Sequence, residues 1–267
     1  MFERLYRSFP GRVLARLIAS PPISRAAGAF LDSRLSRFLI APFVKKNGID
    51  LSQAVGAPYA CFNDFFTRRL VPGARPICGK AGSLASPCDG LLSVYSVSED
   101  SVITVKGQPY TVETLLADPA LARKFDGGIC MVFRLTPSHY HRYAFAVSGT
   151  IVASRHIRGI FHTVRPEALQ QLPVFKTNTR EYVLCESPDF GLLVQMEVGA
   201  TLVGRIVNEK SEGAFTKGEE KGRFEFGGST IVLLLQKDRL KLTLPADEKS
   251  ELPVMLGQET GISLCRN

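Results

Sequence analysis

The sequence predicts an α+β protein in which a mainly antiparallel β body, packed like a sandwich or a barrel, follows a helical and basic N-terminal segment. Apolar residues recur at helical spacing near the N-terminus, whereas most of the chain after residue 90 consists of short apolar or alternating runs between Gly, Asp and Pro breaks. Of the 267 residues, 45% are hydrophobic and 22% are charged, which excludes a disordered chain and provides for a sizeable core.

Residues 1–50 are predicted to form two short amphipathic helices, split at Pro21-Pro22, that contact a membrane. Apolar side chains recur at near-helical spacing from Phe2 to Leu17 and again from Leu31 to Leu39. Nine basic and three acidic side chains give this segment most of the net charge of +8. Such helices can lie on an anionic bilayer, although packing on the protein body with solvated arginines is the alternative. No nucleic-acid motif is present, and no apolar run near the N-terminus approaches the roughly 20 residues that cross a bilayer.

Residues 51–267 are predicted to form one domain of short elements. Cys61 to Leu70 is predicted as a short helix, and Thr111 to Ala117 as a helix capped by Thr111. The predicted strands are Leu91 to Val97, Cys130 to Leu135, Gly149 to Ser154, Tyr182 to Cys185, Leu192 to Val198, Thr201 to Val207, Thr230 to Leu235 and Leu240 to Leu244.

The six cysteines are scattered along the chain without a C-x-x-C pair. This pattern favours reduced, mostly buried thiols over a zinc site or a disulfide framework, and we therefore predict no metal. Reduced thiols are typical of a cytoplasmic location.

The segment Gly227-Gly228-Ser229-Thr230 precedes an apolar strand. Most such turns have no further role. However, a serine hydroxyl next to a glycine can attack the glycine carbonyl when a base removes its proton, because glycine has no Cβ to obstruct the approach. The resulting ester can eliminate, cut the chain and leave a pyruvoyl group, which is an electrophile that no ordinary side chain provides.

This rearrangement needs a base and a carboxylate that orients it. Among the histidines, His141 directly follows a predicted strand, where its side chain can reach a site, whereas His139 and His156 are predicted to be solvated. Asp89 lies in the sharp turn Ser-Pro-Cys-Asp-Gly, for which a plain Asp-Gly turn is the alternative.

Several motifs in order give the chain a resemblance to the phosphatidylserine decarboxylase family, which is pyruvoyl-dependent. They are FNDFFTRRL-VPGARP (62–76), SPCDG (86–90), KGQPYTVETLLAD (106–118), FRLTPSHYHRY (133–143), FHTVRP (161–166), VFKTNTREY (174–182), EVGATLVGRI (197–206) and KGEEKGRFEFGGST (217–230).

The resemblance implies self-cleavage of the Gly228–Ser229 bond into a β chain, 1–228, and an α chain, 229–267, whose first residue becomes the pyruvoyl group. Asp89 matches the aspartate of the processing triad, and His141 matches the histidine of the family's Tyr-His-Arg motif. Many members carry a second histidine two residues after the arginine, where this chain has Ala144. A clostridial-like subgroup also lacks it, which leaves the base open between His141, which we favour, and His162.

The resemblance further implies a Schiff base between the pyruvoyl ketone and the serine headgroup of phosphatidylserine, loss of CO2, and release of phosphatidylethanolamine without a separate cofactor. Arg142, Arg165 and Arg180 are candidate anchors for an anionic group of the substrate, with surface ion pairing as the alternative. Gly199 and Gly204 are expected either to let backbone approach the pyruvoyl end or to form strand bulges.

The family leads us to expect a homodimer bound peripherally to an anionic membrane, at the cytoplasmic face of the cell membrane. Two other functions stay open. One is a pyruvoyl-dependent decarboxylase of a soluble amino acid, and the other is a non-catalytic membrane-docking β module, for which Ala144 is the best support.

Overall fold

The structure, a computed structural model, describes residues 21–105, 108–159, 178–199, 205–226 and 229–265. Its helices are α1 (Pro21–Asp32), a 3-10 helix (Arg34–Leu39), α2 (Ile40–Asn47), α3 (Phe62–Phe66), α4 (Val112–Leu116), α5 (Pro119–Ala122) and a second 3-10 helix (Arg123–Phe125). Its strands are β1 (Ala54–Val55), β2 (Arg69–Leu70), β3 (Ser83–Ala85), β4 (Gly90–Ser96), β5 (Ile103–Val105), β6 (Gln108–Tyr110), β7 (Ile129–Leu135), β8 (Arg142–Ala144), β9 (Gly149–Ile157), β10 (Arg180–Ser187), β11 (Gly191–Val198), β12 (Ile206–Asn208), β13 (Gly213–Phe215), β14 (Glu220–Phe224), β15 (Ser229–Leu235), β16 (Leu240–Leu242), β17 (Leu252–Val254) and β18 (Glu259–Ser263).

The centre of the fold is an open eight-stranded antiparallel sheet with the strand order β13-β9-β10-β11-β15-β7-β4-β17. One face packs against two three-stranded sheets, β12-β14-β8 and β16-β18-β3, and the other is covered by α4, α5 and the β5-β6 hairpin. Because both faces are covered, the central strands β7, β11 and β15 are apolar almost without interruption. This arrangement confirms the predicted α+β class with sheets packed face to face, in an open sheet rather than a closed barrel.

A third apolar cluster joins the N-terminal helices to the β body. It contains Leu31 of α1 and the phenylalanines of α3, with Phe43 of α2 and Phe226 packed against them. None of the described helices is both long and apolar enough to cross a membrane.

The predicted second amphipathic helix over residues 31–39 is interrupted. Ser33 adopts an extended backbone, and its hydroxyl donates to the carbonyl oxygen of Phe30 at 2.7 Å, so α1 ends and a 3-10 helix begins. Ser36, which is fully buried, then ties the 3-10 helix to α3 by accepting from the backbone N–H of Phe62 at 2.8 Å. The predicted first helix lies outside the described residues.

The prediction of one helix from Cys61 to Leu70 is wrong in its second half. The helix ends at Phe66, and residues 69–70 instead pair with β1 as β2. The carbonyl oxygen of Thr67 accepts a hydrogen bond from Arg142 Nε at 2.8 Å, which is a tertiary interaction that local spacing does not show.

The other predicted elements match the structure apart from their ends. Helix α4 has Thr111 as its N-cap, in a capping box with Thr114. Of the predicted strand over 201–207, the part up to residue 204 lies outside the described residues, and β12 begins at Ile206. All six cysteines are free thiols, and Cys88, Cys130 and Cys185 are buried.

Candidate active site

The topology brings three of the predicted site residues to one edge of the large sheet. Strand β4 begins directly after Asp89, β7 ends at Leu135 just before the loop that carries His141, and β15 begins at Ser229. In the register, Leu91 is opposite Arg134, and Ser229 is opposite Leu135. The Asp89 turn, the 136–141 loop and the backbone of Ser229 therefore lie side by side. His162, Gly227 and Gly228 lie outside the described residues.

His141 is 1% exposed, and its orientation is set from both sides. Its ring lies against that of Phe66, with 3.9 Å between the centroids. Its Nδ1 is 2.9 Å from the carbonyl oxygen of His139. Because a carbonyl oxygen can only accept, Nδ1 carries the proton, and Nε2 of the neutral ring holds the lone pair. In this tautomer His141 can act as a base through Nε2.

The other histidines of the described chain have local partners. His139 was predicted to be solvated but is half-buried, because its Nδ1 accepts a hydrogen bond from the backbone N–H of Thr136 at 2.9 Å and so closes the turn before His141. Burial lowers the pKa of His139. His156 is exposed, as predicted, and its Nδ1 is 2.8 Å from Glu181 Oε1.

Asp89 is 5% exposed and is held by Arg75. The guanidinium donates from Nε to Oδ1 at 2.8 Å and from Nη2 to Oδ2 at 2.6 Å, while the backbone N–H of Leu256 donates to Oδ1 at 2.9 Å. The hydrogen bond to Asp89 raises the pKa of Arg75. This two-point pairing orients the carboxylate far more strongly than a plain Asp-Gly turn does. Arg75 lies in the VPGARP motif, and nothing in its local sequence predicts this pairing with Asp89.

Two of the predicted anion anchors have other partners. Arg142 donates to the carbonyl oxygen of Thr67 and forms an ion pair with Glu220. Arg180 donates from Nε and Nη2 to the carbonyl oxygens of Leu115 and Thr114, each at 2.6 Å. These carbonyls belong to the last turn of α4, which leaves them without helical partners. Both guanidinium groups therefore join segments of the fold.

One further candidate anchor, Arg165, and the two glycines predicted near the pyruvoyl end are described only in part. Arg165 and Gly204 lie outside the described residues. The backbone N–H of Gly199 donates to the carbonyl oxygen of Thr179 at 2.8 Å, which continues the β10-β11 ladder by one residue.

An aromatic cluster connects the N-terminal helices to the chain just before the predicted scissile bond. Phe226, two residues before Gly228, lies 5.7 Å from Phe43, 5.1 Å from Phe62 and 5.2 Å from Phe66, measured between ring centroids. Edge-to-face contacts of this kind stabilise a packing by about 0.5–1.5 kcal/mol each beyond area burial. The helices α2 and α3 thus hold the approach to the predicted cleavage site.

A fully buried ion pair joins Glu197 of β11, the strand next to β15, to Lys221 of β14 in the facing sheet. Nζ of Lys221 is 2.5 Å from Oε2 of Glu197, and neither side chain is exposed. Glu197 is opposite Ile231, two residues from Ser229 in β15. Burial raises the pKa of Glu197, and the neighbouring Lys221 opposes this shift.

A separate open groove of about 380 Å³, between α5 and strands β9 and β10, includes none of the predicted site residues.

Comparison with known proteins identifies the family. A family model described as phosphatidylserine decarboxylase matches residues 62–261. Phosphatidylserine decarboxylase proenzyme 2 of Clostridium acetobutylicum is 38% identical over 262 residues, which cover 96% of this chain and 90% of the relative. The phosphatidylserine decarboxylase proenzyme of Clostridium perfringens strain SM101 is 40% identical over 256 residues, which cover 94% and 86%.

The fold and these relatives define the class of the protein, which is a decarboxylase made as a proenzyme. The residues matched by the family model, 62–261, include most of the β body and both residues of the predicted Gly228–Ser229 cleavage site. The chain belongs to the phosphatidylserine decarboxylase family.

Proposed function

We propose that this protein converts phosphatidylserine to phosphatidylethanolamine and CO2 by means of a pyruvoyl group that it makes from Ser229. The observation that carries the proposal is the meeting of the Asp89 turn, the His141 loop and the start of β15 at one sheet edge, in a chain of this family. The backbone segments that carry these three residues lie side by side there, which supports their acting together.

Self-cleavage begins when the hydroxyl of Ser229 adds to the carbonyl carbon of Gly228 and the amide nitrogen leaves, which turns the peptide bond into an ester. Loss of the Cα proton of Ser229 then expels the Gly228 carboxylate as the end of the β chain and leaves a dehydroalanine. Water replaces its nitrogen, ammonia departs, and the α chain begins with the pyruvoyl group.

Two steps need a base at the junction, namely the attack by the Ser229 hydroxyl and the loss of the Ser229 Cα proton. His141 fits this requirement. The Nδ1–H of His141 is bound to the carbonyl oxygen of His139, so Nε2 is the nitrogen that can take a proton. Asp89, fixed by Arg75, supplies a negative charge at the same edge, which favours the imidazolium that forms. We therefore assign the base to His141, with Asp89 as its supporting carboxylate and His162 as the alternative base.

During turnover the pyruvoyl group supplies a ketone that takes up the substrate amine and accepts the electron pair left when CO2 departs. The chain itself must then deliver a proton to the former α-carbon. His141 suits this role because an imidazole that has gained a proton at Nε2 can return it to the carbon as a general acid. The rings of Phe66 and its neighbours exclude bulk water on that side.

We propose that the protein contacts the membrane through residues 1–50, of which the structure describes α1, the 3-10 helix and α2. Phe30, Leu35 and Phe38 are exposed by 40%, 74% and 69%, although they are large apolar side chains. The rings of Phe30 and Phe38 meet at 6.5 Å, so they share one surface, and the exposed Arg34 and Arg37 alternate with them. Apolar insertion with flanking cations is typical of peripheral binding to anionic lipid.

An enzyme of phospholipid metabolism acts at a membrane, and we place this one peripherally at the cytoplasmic face. The exposed basic side chains of the N-terminal helices favour binding to a membrane leaflet that contains anionic lipid. The homodimer implied by the family stays a prediction.

The proposal is tested by the mass and the activity of the full chain. We expect wild-type protein to separate into residues 1–228 and a blocked fragment of residues 229–267, and to release CO2 from phosphatidylserine in mixed micelles. Ser229→Ala should stay whole and release none. Ser211→Ala, which changes an exposed serine before β13, is the matched control and should behave as wild type.

Three outcomes would contradict the proposal. CO2 release from Ser229→Ala at the wild-type rate would exclude the pyruvoyl mechanism. A wild-type chain that stays whole and inactive after prolonged incubation would favour the non-catalytic docking module. Faster CO2 release from free L-serine or another amino acid than from the lipid would favour the soluble-substrate decarboxylase.

A further inference from the structure

Arg68 stands out among the arginines of the described chain because most of its donors are unused. It lies in the turn between α3 and β2 and is 5% exposed. Its Nη2 is 3.5 Å from the carbonyl oxygen of Ser138, which is the long limit of a hydrogen bond. In the described part of the chain, Nε and Nη1 are buried and make no hydrogen bond. The ring of Phe65 lies 5.4 Å from Cζ.

A buried guanidinium with unused donors is costly to the fold. Unpaired buried charges destabilise proteins, which is why they are normally paired. Arg75, Arg142 and Arg180, by contrast, each bind a carboxylate or backbone carbonyls at short distance. Desolvation lowers the pKa of Arg68, and the charge of Asp89 opposes this shift. Within the described part of the chain, the guanidinium thus has buried donors available for a further anion.

Arg68 belongs to the candidate active site. Phe66, two residues before it, lies against His141, and the carbonyl oxygen of Thr67 is bound by Arg142. Its contact at Ser138 is to the same loop that carries His141. Arg75 already holds Asp89 by two hydrogen bonds, so that carboxylate is committed elsewhere.

We propose that Arg68 binds the phosphodiester of the substrate headgroup, an inference that rests on the proposed function. The substrate has two anionic groups, the phosphodiester and the carboxylate. The carboxylate loses its charge as CO2 leaves, so a cation bound to it would stabilise the ground state more than the transition state. The phosphodiester keeps its charge throughout, and its oxygens match the fork of guanidinium donors.

The test compares Arg68→Gln and Arg68→Lys with Arg69→Gln. Arg69 is the matched control because it is the next residue, its side chain is 65% exposed, and its ion pair with Glu220 is long at 3.5 Å. The assay is CO2 release by the self-cleaved full chain from phosphatidylserine in mixed micelles. Glycerophosphoethanolamine, which has the phosphodiester but no carboxylate, and L-serine, which has the carboxylate but no phosphodiester, serve as competitive inhibitors.

We expect Arg68→Gln to raise KM for phosphatidylserine and Ki for glycerophosphoethanolamine by about 10- to 100-fold, the range for a lost hydrogen bond to a charged group. The kcat and the Ki for L-serine should stay within about twofold, because the phosphodiester contact is equal in ground and transition states. Arg68→Lys keeps the charge without the fork and should lie between wild type and Arg68→Gln. Arg69→Gln should match wild type in all four constants.

Two results would overturn the inference. The first is that the Ki for glycerophosphoethanolamine of Arg68→Gln lies within twofold of the Ki of Arg69→Gln. The second is that Arg68→Gln raises the Ki for L-serine instead of the Ki for glycerophosphoethanolamine, which would mean that Arg68 binds the carboxylate. If Arg68→Gln fails to self-cleave, Arg68→Lys is the variant to measure. Equal Ki values for glycerophosphoethanolamine in Arg68→Lys and Arg69→Gln would also refute binding of the phosphodiester by Arg68. A wild type that makes no phosphatidylethanolamine would refute the proposed function, whereas an active wild type with unaltered Arg68 variants refutes only this inference.

A structural role for Arg68 makes the opposite prediction for stability. If Arg68 awaits an external anion, removing its charge should leave the unfolding temperature of the ligand-free protein unchanged or higher. A clear fall in unfolding temperature for Arg68→Gln, relative to Arg69→Gln, would count against the proposal.

Discussion

Replacing Lys221 with methionine is expected to lower the free energy of unfolding by about 3–5 kcal/mol, because it leaves the carboxylate of Glu197 buried without its cation. Both side chains are fully buried, with 2.5 Å between Nζ and Oε2. Nζ also donates to Asn208 Oδ1 at 3.0 Å, and Asn208 Nδ2 is 3.3 Å from Glu197 Oε2. After the substitution, the amide of Asn208 is the polar partner that still reaches the carboxylate.

The double variant Glu197→Leu/Lys221→Met removes both charges and replaces them with side chains of similar length. Replacing a buried ion pair by apolar groups is often neutral or stabilising by about 1–4 kcal/mol. Asn208 keeps its contacts to Glu181 Oε2 at 2.9 Å and to the hydroxyl of Tyr143 at 3.1 Å. The double variant should therefore be more stable than Lys221→Met alone.

Urea unfolding measures both effects, in the background of Ser229→Ala, where the uncut chain makes unfolding unimolecular. The reasoning is refuted if Lys221→Met lies within about 1 kcal/mol of its parent, or if the double variant is less stable than the single one. The first result would mean that the interior around β11 solvates the carboxylate by itself.

The effect of pH on Lys221→Met has a definite sign. Burial raises the pKa of Glu197 above its ordinary 4.5 even with Lys221 present, and removing Lys221 takes away a cause that lowers it. A carboxyl whose pKa is raised in the folded state contributes stability that is complete below about 4.5 and is lost as the pH rises through the folded pKa. The stability difference between Lys221→Met and its parent should thus narrow from pH 8 to pH 5.

Two further predictions concern processing and membrane binding. Asp89→Asn and Arg75→Met should each slow the appearance of the two fragments by about tenfold or more, since a misplaced carboxylate no longer supports the base, while the exposed Asp100→Asn should not. This is measured by mass spectrometry over time, and cleavage of Asp89→Asn at the parental rate would exclude Asp89 from processing. Leu35→Glu/Phe38→Glu should reduce sedimentation with phosphatidylserine-containing vesicles about tenfold or more without changing the unfolding temperature, because both side chains are exposed. Val102→Glu, at a residue 58% exposed elsewhere, is the control, and equal loss of sedimentation for both variants would show that added negative charge alone is responsible.

Helices and strands whose limits are set by residues close by in the chain could be predicted from the sequence. Strand β7 is an apolar run after a glycine pair, and the run that becomes β15 directly follows the Gly-Gly-Ser-Thr turn. Helix α4 begins at a capping threonine whose partner is three residues away. Prediction was wrong at Ser33 and after Phe66, where the backbone follows a side-chain hydrogen bond or a tertiary contact instead of the apolar spacing.

The candidate site residues were predicted from their chemistry and from family motifs, whereas the residues that contact them in the structure were not. Arg75 and Asp89 are 14 residues apart in the chain, Arg68 and Ser138 are 70 apart, and the backbone of Phe226 meets Asn63 across 163 residues. No periodicity covers such separations. The arginines of the FNDFFTRRL and VPGARP motifs look alike in the sequence, and only their surroundings distinguish them.

The amino-acid sequence by itself determined most strands and, through its ordered motifs, the family, and it predicted the serine that we propose for the chemistry, because spacing, residue type and motif order are local features of the chain. Only the tertiary structure shows that Arg75 binds Asp89 and that Arg142 and Arg180 join segments of the fold. It also shows that Arg68 is buried with donors that make no hydrogen bond in the described part of the chain. The physical reason is that the cost of burying a charge depends on what surrounds it, and those surroundings arise only when strands distant in the chain pair.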